Sequence, residues 1–552
     1  MMRAMAARRT REVDWTTGIA GAGLLCLATF AARPLAAQSA VGASHPPSPA
    51  ASAQTRHVVL TVDCRAKSRP ISPYIYGIAG DVTDLGATTR RWGGNPMTRY
   101  NWQLGNAYNV GKDWFFENGK SPDYRQFLAD GLRDQAASAL TVPIIGWVAK
   151  DIVSHGFPSS VYGPQHAQDP YRKDAGDGLR PDGMPIHPRS PELTSVEASP
   201  QFIKKWVEAI RAHDAGTRSV ALYILDNEPS LWNSTHRDVH PDPLSYDELV
   251  DRTIRYGTAI READPQAVIA GPAEWGWTGY FYSAVDVVMG FGMRPDRRAH
   301  GDVPLLPWYL KKMHDHQQAT GTRILDVLDV HFYPQAAEVY GKAKDADPKT
   351  GALRIRSTRA LWDPTYKDES WINDSVQLIP RMKTWIAQNY PGLKLSIGEY
   401  NFGGEQEMSG GLALAEALGR FGTEGLDYAY YWMVPPKDSP AYWAFRAYRN
   451  FDGHGGHFLD RSLVTKSPSG VSLFASADAS GKHLVLIALN LDAQTTAEAK
   501  LELRGCAKPA TTKKFAFSAE SPGMTEQNAQ TSRDRGETLA PYSVNVFDLV
   551  LQ

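Results

Sequence analysis

The amino-acid sequence predicts an α/β fold: a (β/α)8 TIM-like barrel joined to a β-sandwich that the C-terminal strands build together with one N-terminal strand. Three observations predict it. From Tyr74 to Asn450, apolar runs bounded by turn residues alternate with stretches of helical periodicity, the pattern of a parallel sheet with crossover helices. Eight such runs can be counted, the number that closes a parallel barrel. After Asn450 the helical pattern stops, and short strand-like runs separated by Gly, Asp and Pro continue to the end of the chain.

In chain order the candidate barrel strands are Ile75 to Gly80, Thr88 to Gly93, Thr141 to Val148, Val220 to Asn227, Ala267 to Ala273, Val327 to Tyr333, Leu393 to Glu399 and Tyr428 to Met433. Helices are legible in most gaps. Ser245-Tyr246-Asp247-Glu248 is a capping box, and Leu249, Val250, Ile254 and Ile260 form the apolar face of the helix it opens. Phe202 to His213 sets Phe202, Ile203, Trp206 and Ile210 on one side, and Leu412 to Phe421 is a compact Ala/Leu helix. Between Gly80 and Thr88 there is no room for a full helix. Long segments follow three strands, Ala149 to Pro200, Trp275 to Pro304 and Pro334 to Ser370, where extended loops would build a substrate groove.

His57 to Val62 is a strand with no helix after it, so it belongs with the late runs Val471 to Ala475, His483 to Leu489, Lys500 to Leu503, Lys514 to Ala516 and Ser543 to Val550. Ahead of it, a basic start (Arg3, Arg8, Arg9, Arg11), an uncharged stretch from Ile19 to Ala32 and Ala36-Ala37 form the pattern of an export signal. An uncleaved anchor and a twin-arginine signal are the competing accounts. The expected boundaries are 1–37 for the signal, 38–55 for an Ala/Ser/Pro linker, 56–73 for the N-terminal strand, 74–450 for the barrel and 451–552 for the sandwich.

In the 552-residue chain, 59 Lys and Arg nearly balance 60 Asp and Glu, so no net field recruits nucleic acid or an acidic membrane surface. The expected protein is a secreted monomer, periplasmic or extracellular, whose partner is a carbohydrate polymer. Its 15 Trp, 24 Tyr and 18 Phe supply planar faces for sugars as well as a core. Loss of the signal would leave two cysteines, Cys64 and Cys506, and an oxidising compartment invites a disulfide between them; two buried thiols are the alternative.

The chemistry is carried by two strand ends. Leu222 to Pro229 (LYILDNEP) and Leu393 to Asn401 (LKLSIGEYN) are apolar runs that each stop at a carboxylate, Glu228 and Glu399, on the fourth and seventh candidate strands. Ligands bind at the carboxyl ends of barrel strands. One protonated and one ionised carboxyl across a sugar ring are the requirement for hydrolysing a glycosidic bond. Glu228 suits the general acid, with Asn227 beside it to hold a sugar hydroxyl, and Glu399 suits the nucleophile, oriented by Tyr333 or Tyr400. Further candidates for stacking or hydrogen bonding to sugars are Trp92, Asn95, Trp102, Trp232, Trp362, Trp432 and His331, each with a packing role as its competing account.

The segments RWGGNPMTRYNWQLGNAYNVGKDWFFEN (Arg91 to Asn118), LDNEPSLWNSTHRDVHP (Leu225 to Pro241), VHFYP (Val330 to Pro334) and GEYNFGGE (Gly398 to Glu405) together resemble glycoside hydrolase family 44. The resemblance implies a retaining endo-β-1,4-glucanase, acting on xyloglucan and soluble cellulose derivatives without a catalytic cofactor, with Glu228 as acid/base and Glu399 as nucleophile. It also implies a structural calcium, for which Asp174 and Asp177, spaced by glycine, and Glu117 are the candidate ligands. His236, Asp238 and His240 invite a zinc reading, but no metal-ligand motif accompanies them. Two other functions stay open: an exo-acting xylosidase, arabinofuranosidase or glucosylceramidase on the same layout, and a non-catalytic carbohydrate-binding protein.

Overall fold

Eight parallel strands close a barrel in the computed structural model, in chain order: Gly77–Ile78, Thr89–Trp92, Ala137–Val142, Val220–Leu225, Ile269–Glu274, Val327–Phe332, Lys394–Tyr400 and Tyr428–Tyr431, the last pairing with the first. The structure describes residues 54–552 apart from 83, 189, 215, 340–346, 522 and 528–535. The export signal and most of the linker read from the sequence lie outside the described residues. Among them, no helix is long and apolar enough to cross a membrane.

The strands are buried on both faces, which is why most of the runs are largely apolar; Thr89–Trp92, with two buried arginines, is the exception. Inside the barrel, Ala139, Leu222, Ile224, Ala270, Ala273, Val327, Tyr428 and Tyr430 form an apolar plug of their own. Outward-facing residues join the larger core under the helices. The third strand lies upstream of its expected position. Pro143 has no N–H to donate and ends it, and Trp147–Ala149 pairs instead with Ser195–Glu197 in a separate two-stranded ribbon. Among the described residues, no helix occupies the connection from Ile78 to Thr89.

The helix Tyr246–Ala263 starts where its capping residue predicts, the Ser245 hydroxyl accepting from the Glu248 N–H at 3.2 Å. The Glu248 carboxylate does not reach back. It takes His240 at 2.9 Å and Arg252 at 2.8 Å, so only half of the capping box forms.

A seven-stranded antiparallel sheet and a four-stranded sheet make the sandwich. Gln54–Asp63 lies in the four-stranded one between Val464–Lys466 and Thr495–Arg504. The seven-stranded sheet has Val471–Ala477, His483–Asn490, Ser543–Leu551 and Pro509–Ser518 at its centre. Its strands alternate between two cores: Leu473, Ala475, Leu484 and Leu486 face the other sheet, whereas Phe474, Val485 and Ile487 join the core shared with the barrel helices. At Gly419 a barrel helix packs directly on this sheet: a Cβ there would lie 2.4 Å from the Phe474 ring. Cys64 and Cys506, at the ends of neighbouring strands, are joined by a disulfide.

Candidate active site

Side-chain parity along the strands decides what stands above the apolar plug. On the fourth strand the lumen sequence is Leu222, Ile224, then Asp226, after which the chain turns sharply. Asp226, Glu228 and Ala273 all have positive φ (66°, 48° and 58°), a left-handed conformation unfavourable for residues with a Cβ. Fixed hydrogen bonds hold them there. The buried Asp226 carboxylate accepts from the Thr98 hydroxyl (2.6 Å) and the N–H groups of Ile144 (2.5 Å) and Ile145 (3.1 Å), and the Glu228 N–H donates to the Ala273 carbonyl (3.0 Å). Glu228 thereby leaves the strand end pointing across the barrel mouth.

The sixth and seventh strands supply the facing groups. His331 pairs in register with Glu399, while Phe332 and Tyr400 turn outward. His331 is fully buried, its Nδ1 2.9 Å from Glu228 Oε1 and 3.5 Å from Glu399 Oε2. One oxygen of Glu228, one of Glu399 and a ring nitrogen of His331 all lie within 4.8 Å of one another. Arg91, from the second strand, donates through Nη1 to Glu399 and through Nη2 to Asn227 Oδ1 at 3.0 Å. The Tyr333 hydroxyl donates to the other Glu399 oxygen at 2.8 Å.

These contacts set the charge of Glu399. Burial alone would raise the proton affinity of Glu399, but the His331 and Arg91 cations and the Tyr333 hydroxyl outweigh it and hold the carboxyl below its ordinary range. For His331, burial disfavours the cation, yet the charges of Glu399 and Glu228 win and push it up. A polar chain then leaves the centre: the Asn227 amide donates to Asn95 Oδ1 (3.2 Å), and the Asn95 amide donates to both Asp113 oxygens (3.2 Å). Crowding by protein atoms, with the Glu228 and Glu399 charges added, pushes Asp113 up to about 6 against its bond from Asn95.

The structure thus gathers Glu228, Glu399, Asn227, Asn95, His331 and Tyr333, with Trp432 half-buried beside them, the Arg91 guanidinium 5.9 Å from its ring centre. Five other candidates face elsewhere. Trp92 is at outward parity and packs on Tyr100 and Phe127. Trp102 donates to the Phe202 carbonyl at 3.2 Å and packs at a tilt against the Phe202 ring. Trp232 is wholly buried beside His240, and Trp362 lies under the Arg420 guanidinium at 3.8 Å. Tyr400 is wholly buried against Phe421 and Tyr431, so orientation of Glu399 falls to Tyr333 alone of the two.

The calcium triad is not assembled either. Asp174 caps the Ser160 N–H (2.7 Å) and meets His155 (3.1 Å), and Asp177 meets His166 (3.1 Å). Glu117 instead faces Asp169 and Arg172. Burial and the adjacent Asp169 carboxyl push it up to about 7, and its Oε1 has no hydrogen-bond partner among the described residues. Two close carboxyls, one with an unpartnered oxygen, are donors of the kind a hard cation takes, although the Arg172 guanidinium already lies 3.5 Å from Glu117. The zinc reading fails because Asp238 is taken by Arg99 (3.0 Å) and His240 by Glu248 (2.9 Å).

Sequence reasoning assigned no role to Arg91, Asp113, Trp114 or Trp371. Arg91 had a signal in the glycine two positions on: a Cβ at Gly93 would lie 2.5 Å from the Arg91 guanidinium carbon, so only glycine lets the arginine fold over the backbone. Trp114 and Trp371 are 42% and 58% exposed, unusual for indoles without a partner surface. Trp114 follows Asp113 directly. Trp371 touches Gln335 at 3.4 Å, and Gln335 donates to the Tyr333 carbonyl, which places both indoles at the rim.

The sequence profile of glycoside hydrolase family 44 matches residues 107–336. Endoglucanase A of Paenibacillus lautus is 31% identical over 544 residues, covering 92% of this chain and 74% of that protein. The chain belongs to glycoside hydrolase family 44. The β-mannanase/endoglucanase A of Caldicellulosiruptor saccharolyticus is also 31% identical, over 510 residues and 84% of this chain; the family 44 chain spans only 36% of that protein's length. Among solved structures, CelM2, a bifunctional glucanase-xylanase from a metagenome library, superposes with a TM-score of 0.85 at 35% identity, covering 90% of this chain and all of that one. The family 44 chain is accordingly a glycoside hydrolase with the barrel-plus-sandwich layout described above.

Proposed function

We propose that this family 44 chain is a retaining endo-β-1,4-glucanase in which Glu228 is the acid/base and Glu399 the nucleophile. The observation that carries the proposal is the spacing of the two carboxylates, with oxygens no more than 4.8 Å apart across His331. Retaining glycosidases hold their carboxyls about 5 to 5.5 Å apart, whereas inverting ones leave about 6.5 to 9.5 Å for a water.

In the first step Glu228 gives its proton to the glycosidic oxygen while Glu399 attacks the anomeric carbon. The leaving chain departs as an alcohol and the remaining sugar is esterified to Glu399. In the second step Glu228, now ionised, takes a proton from water as the water oxygen attacks the same carbon and frees Glu399. Arg91 and Tyr333 hold Glu399 ionised and aimed before attack. Proton magnetic resonance of the first product anomer tests the scheme: the β-anomer appearing first is expected, and the α-anomer first would refute it.

The expected substrates are xyloglucan and soluble cellulose derivatives, with Trp114, Trp371 and Trp432 as stacking platforms beside Asn95 and Asn227. The names of the relatives extend the candidates to mannan and xylan. An exo-acting enzyme is the alternative, and product length decides: internal cuts drop viscosity before reducing ends accumulate. We further place a structural calcium at Glu117 and Asp169, to be seen as a melting temperature that falls on chelation and recovers with added calcium. Export is supported by the basic and apolar pattern of residues 1–37 and by the Cys64–Cys506 disulfide, which an oxidising compartment sustains.

A further inference from the structure

Below the catalytic groups, the barrel holds a carboxylate that the scheme above does not use. Asp329 lies on the sixth strand two residues before His331, so both point into the lumen. It is wholly buried, and neither of its oxygens accepts a hydrogen bond of ordinary length among the described residues, although Ser396 stands opposite it in the register. A buried, poorly satisfied carboxylate is costly and needs an explanation.

Its neighbours supply one. A Cβ on Gly398 would lie 2.6 and 2.7 Å from the two Asp329 oxygens, so the carboxylate rests against the residue that precedes Glu399. The charges that act on it are those of His331 and Arg91, both attractive, and of Glu399, repulsive. His331 is in turn faced by Glu228 and Glu399, by Arg91 Nη2 at 3.5 Å, and by Tyr280, whose hydroxyl donates to its carbonyl. With a proton on both Glu228 and His331, the Glu399 anion faces two cations here, Arg91 and His331. Asp329 restores the balance from beneath.

We infer that Asp329 is a positioning residue, the anion under the floor of the site that keeps the Glu228–His331 pair protonated and Arg91 turned toward Glu399. The inference rests on the assignment of Glu228 and Glu399 above. A negative charge beneath raises the proton affinity of both members of the pair, so the state in which Glu228 and His331 each carry a proton, with the acid loaded, persists to higher pH. At Asp329 itself burial outweighs the His331 and Arg91 cations and raises its proton affinity, so its ionised form is the point that carbon-13 labelling decides.

The test is Asp329→Asn, which removes the charge at nearly constant shape. The expected result is an alkaline limb of kcat displaced to lower pH by about 1 unit. A kcat about tenfold lower at neutral pH should accompany it, with KM changed less than about twofold. Nitrogen-15 resonances of the His331 ring should titrate at correspondingly lower pH. An unshifted alkaline limb together with an unshifted His331 titration would overturn the inference even if kcat fell, because a merely structural role lowers activity without moving the profile. Should the variant not fold, carbon-13 labelled Asp329 in the unaltered enzyme decides. A charged carboxylate sharing inflections with His331 is expected, and one that stays protonated through the active range refutes the idea. If instead Glu228→Gln and Glu399→Gln cleave polysaccharide normally, the underlying assignment fails rather than the inference.

Discussion

At the scale of single residues, Glu228 and Glu399 have the same side chain in different surroundings, and their variants should differ accordingly. Glu228→Gln is expected to lose about 10²- to 10⁴-fold in kcat on polysaccharide, but far less on an aryl glycoside whose leaving group needs no proton. Glu399→Gln should be inactive on both, and equal losses on the two substrates would reverse the roles. A second acid makes a pH prediction. Glu274 is wholly buried, and burial, with the Glu228 charge added, pushes it up to about 8 although the Ser230 hydroxyl donates to it at 2.7 Å. A carboxyl whose folded value is raised above the unfolded one stabilises the fold below about 4.5, and that stability is lost as pH rises through about 8. Glu274→Gln should therefore melt higher than the parent at pH 9 and gain little at pH 4; a difference independent of pH would contradict this. At this scale the sequence marked the two catalytic glutamates plainly, because each ends an apolar run. It did not separate platform from packing tryptophans, since strand parity turns Trp92 outward and only three-dimensional exposure singles out Trp114 and Trp371.

At the scale of elements, the alternation of apolar runs was enough to number the strands that carry Glu228 and Glu399, fourth and seventh around the closed barrel. Strand ends were less legible where a single residue decides them, as Pro143 does. The helix Met408–Glu424 shows a constraint that periodicity does not reveal. A Cβ on Gly410 would lie 1.9 Å from the Gly404 carbonyl oxygen, and that loop begins at Asn401, whose amide donates to the Trp432 carbonyl beside the site. Gly410→Ala must therefore push the loop away. The expected cost is about 1 to 3 kcal/mol of stability, with a fall in kcat because the end of the Glu399 strand moves with the loop. Denaturant unfolding and initial rates measure the two effects, and lost stability with an unchanged kcat would show that the loop and the nucleophile are independent.

At the scale of the whole molecule, the seven-stranded sheet is buried on both faces, one against its partner sheet and one against the barrel, so the sandwich serves as a wall of the catalytic unit. Strand Gln54–Asp63 crosses from the N-terminal end of the chain into the smaller sheet, and the Cys64–Cys506 disulfide fixes it there across 442 residues of sequence. A bridge over so long a loop restricts the unfolded chain, and native disulfides contribute about 2 to 4 kcal/mol. The scaling with loop length is weak in practice, so the upper end is not assumed. Replacing both cysteines, Cys64→Ser with Cys506→Ser, should lower the melting temperature and leave kcat and KM unchanged, because the bridge packs on the core between the two sheets and not on the core under the barrel helices. Thiol titration of the unfolded, unreduced parent should find no reactive groups on these two residues. If the double variant melts normally but loses kcat, the smaller sheet acts on the barrel through its packing, and the bridge is part of how the site is held rather than of how the chain is kept folded.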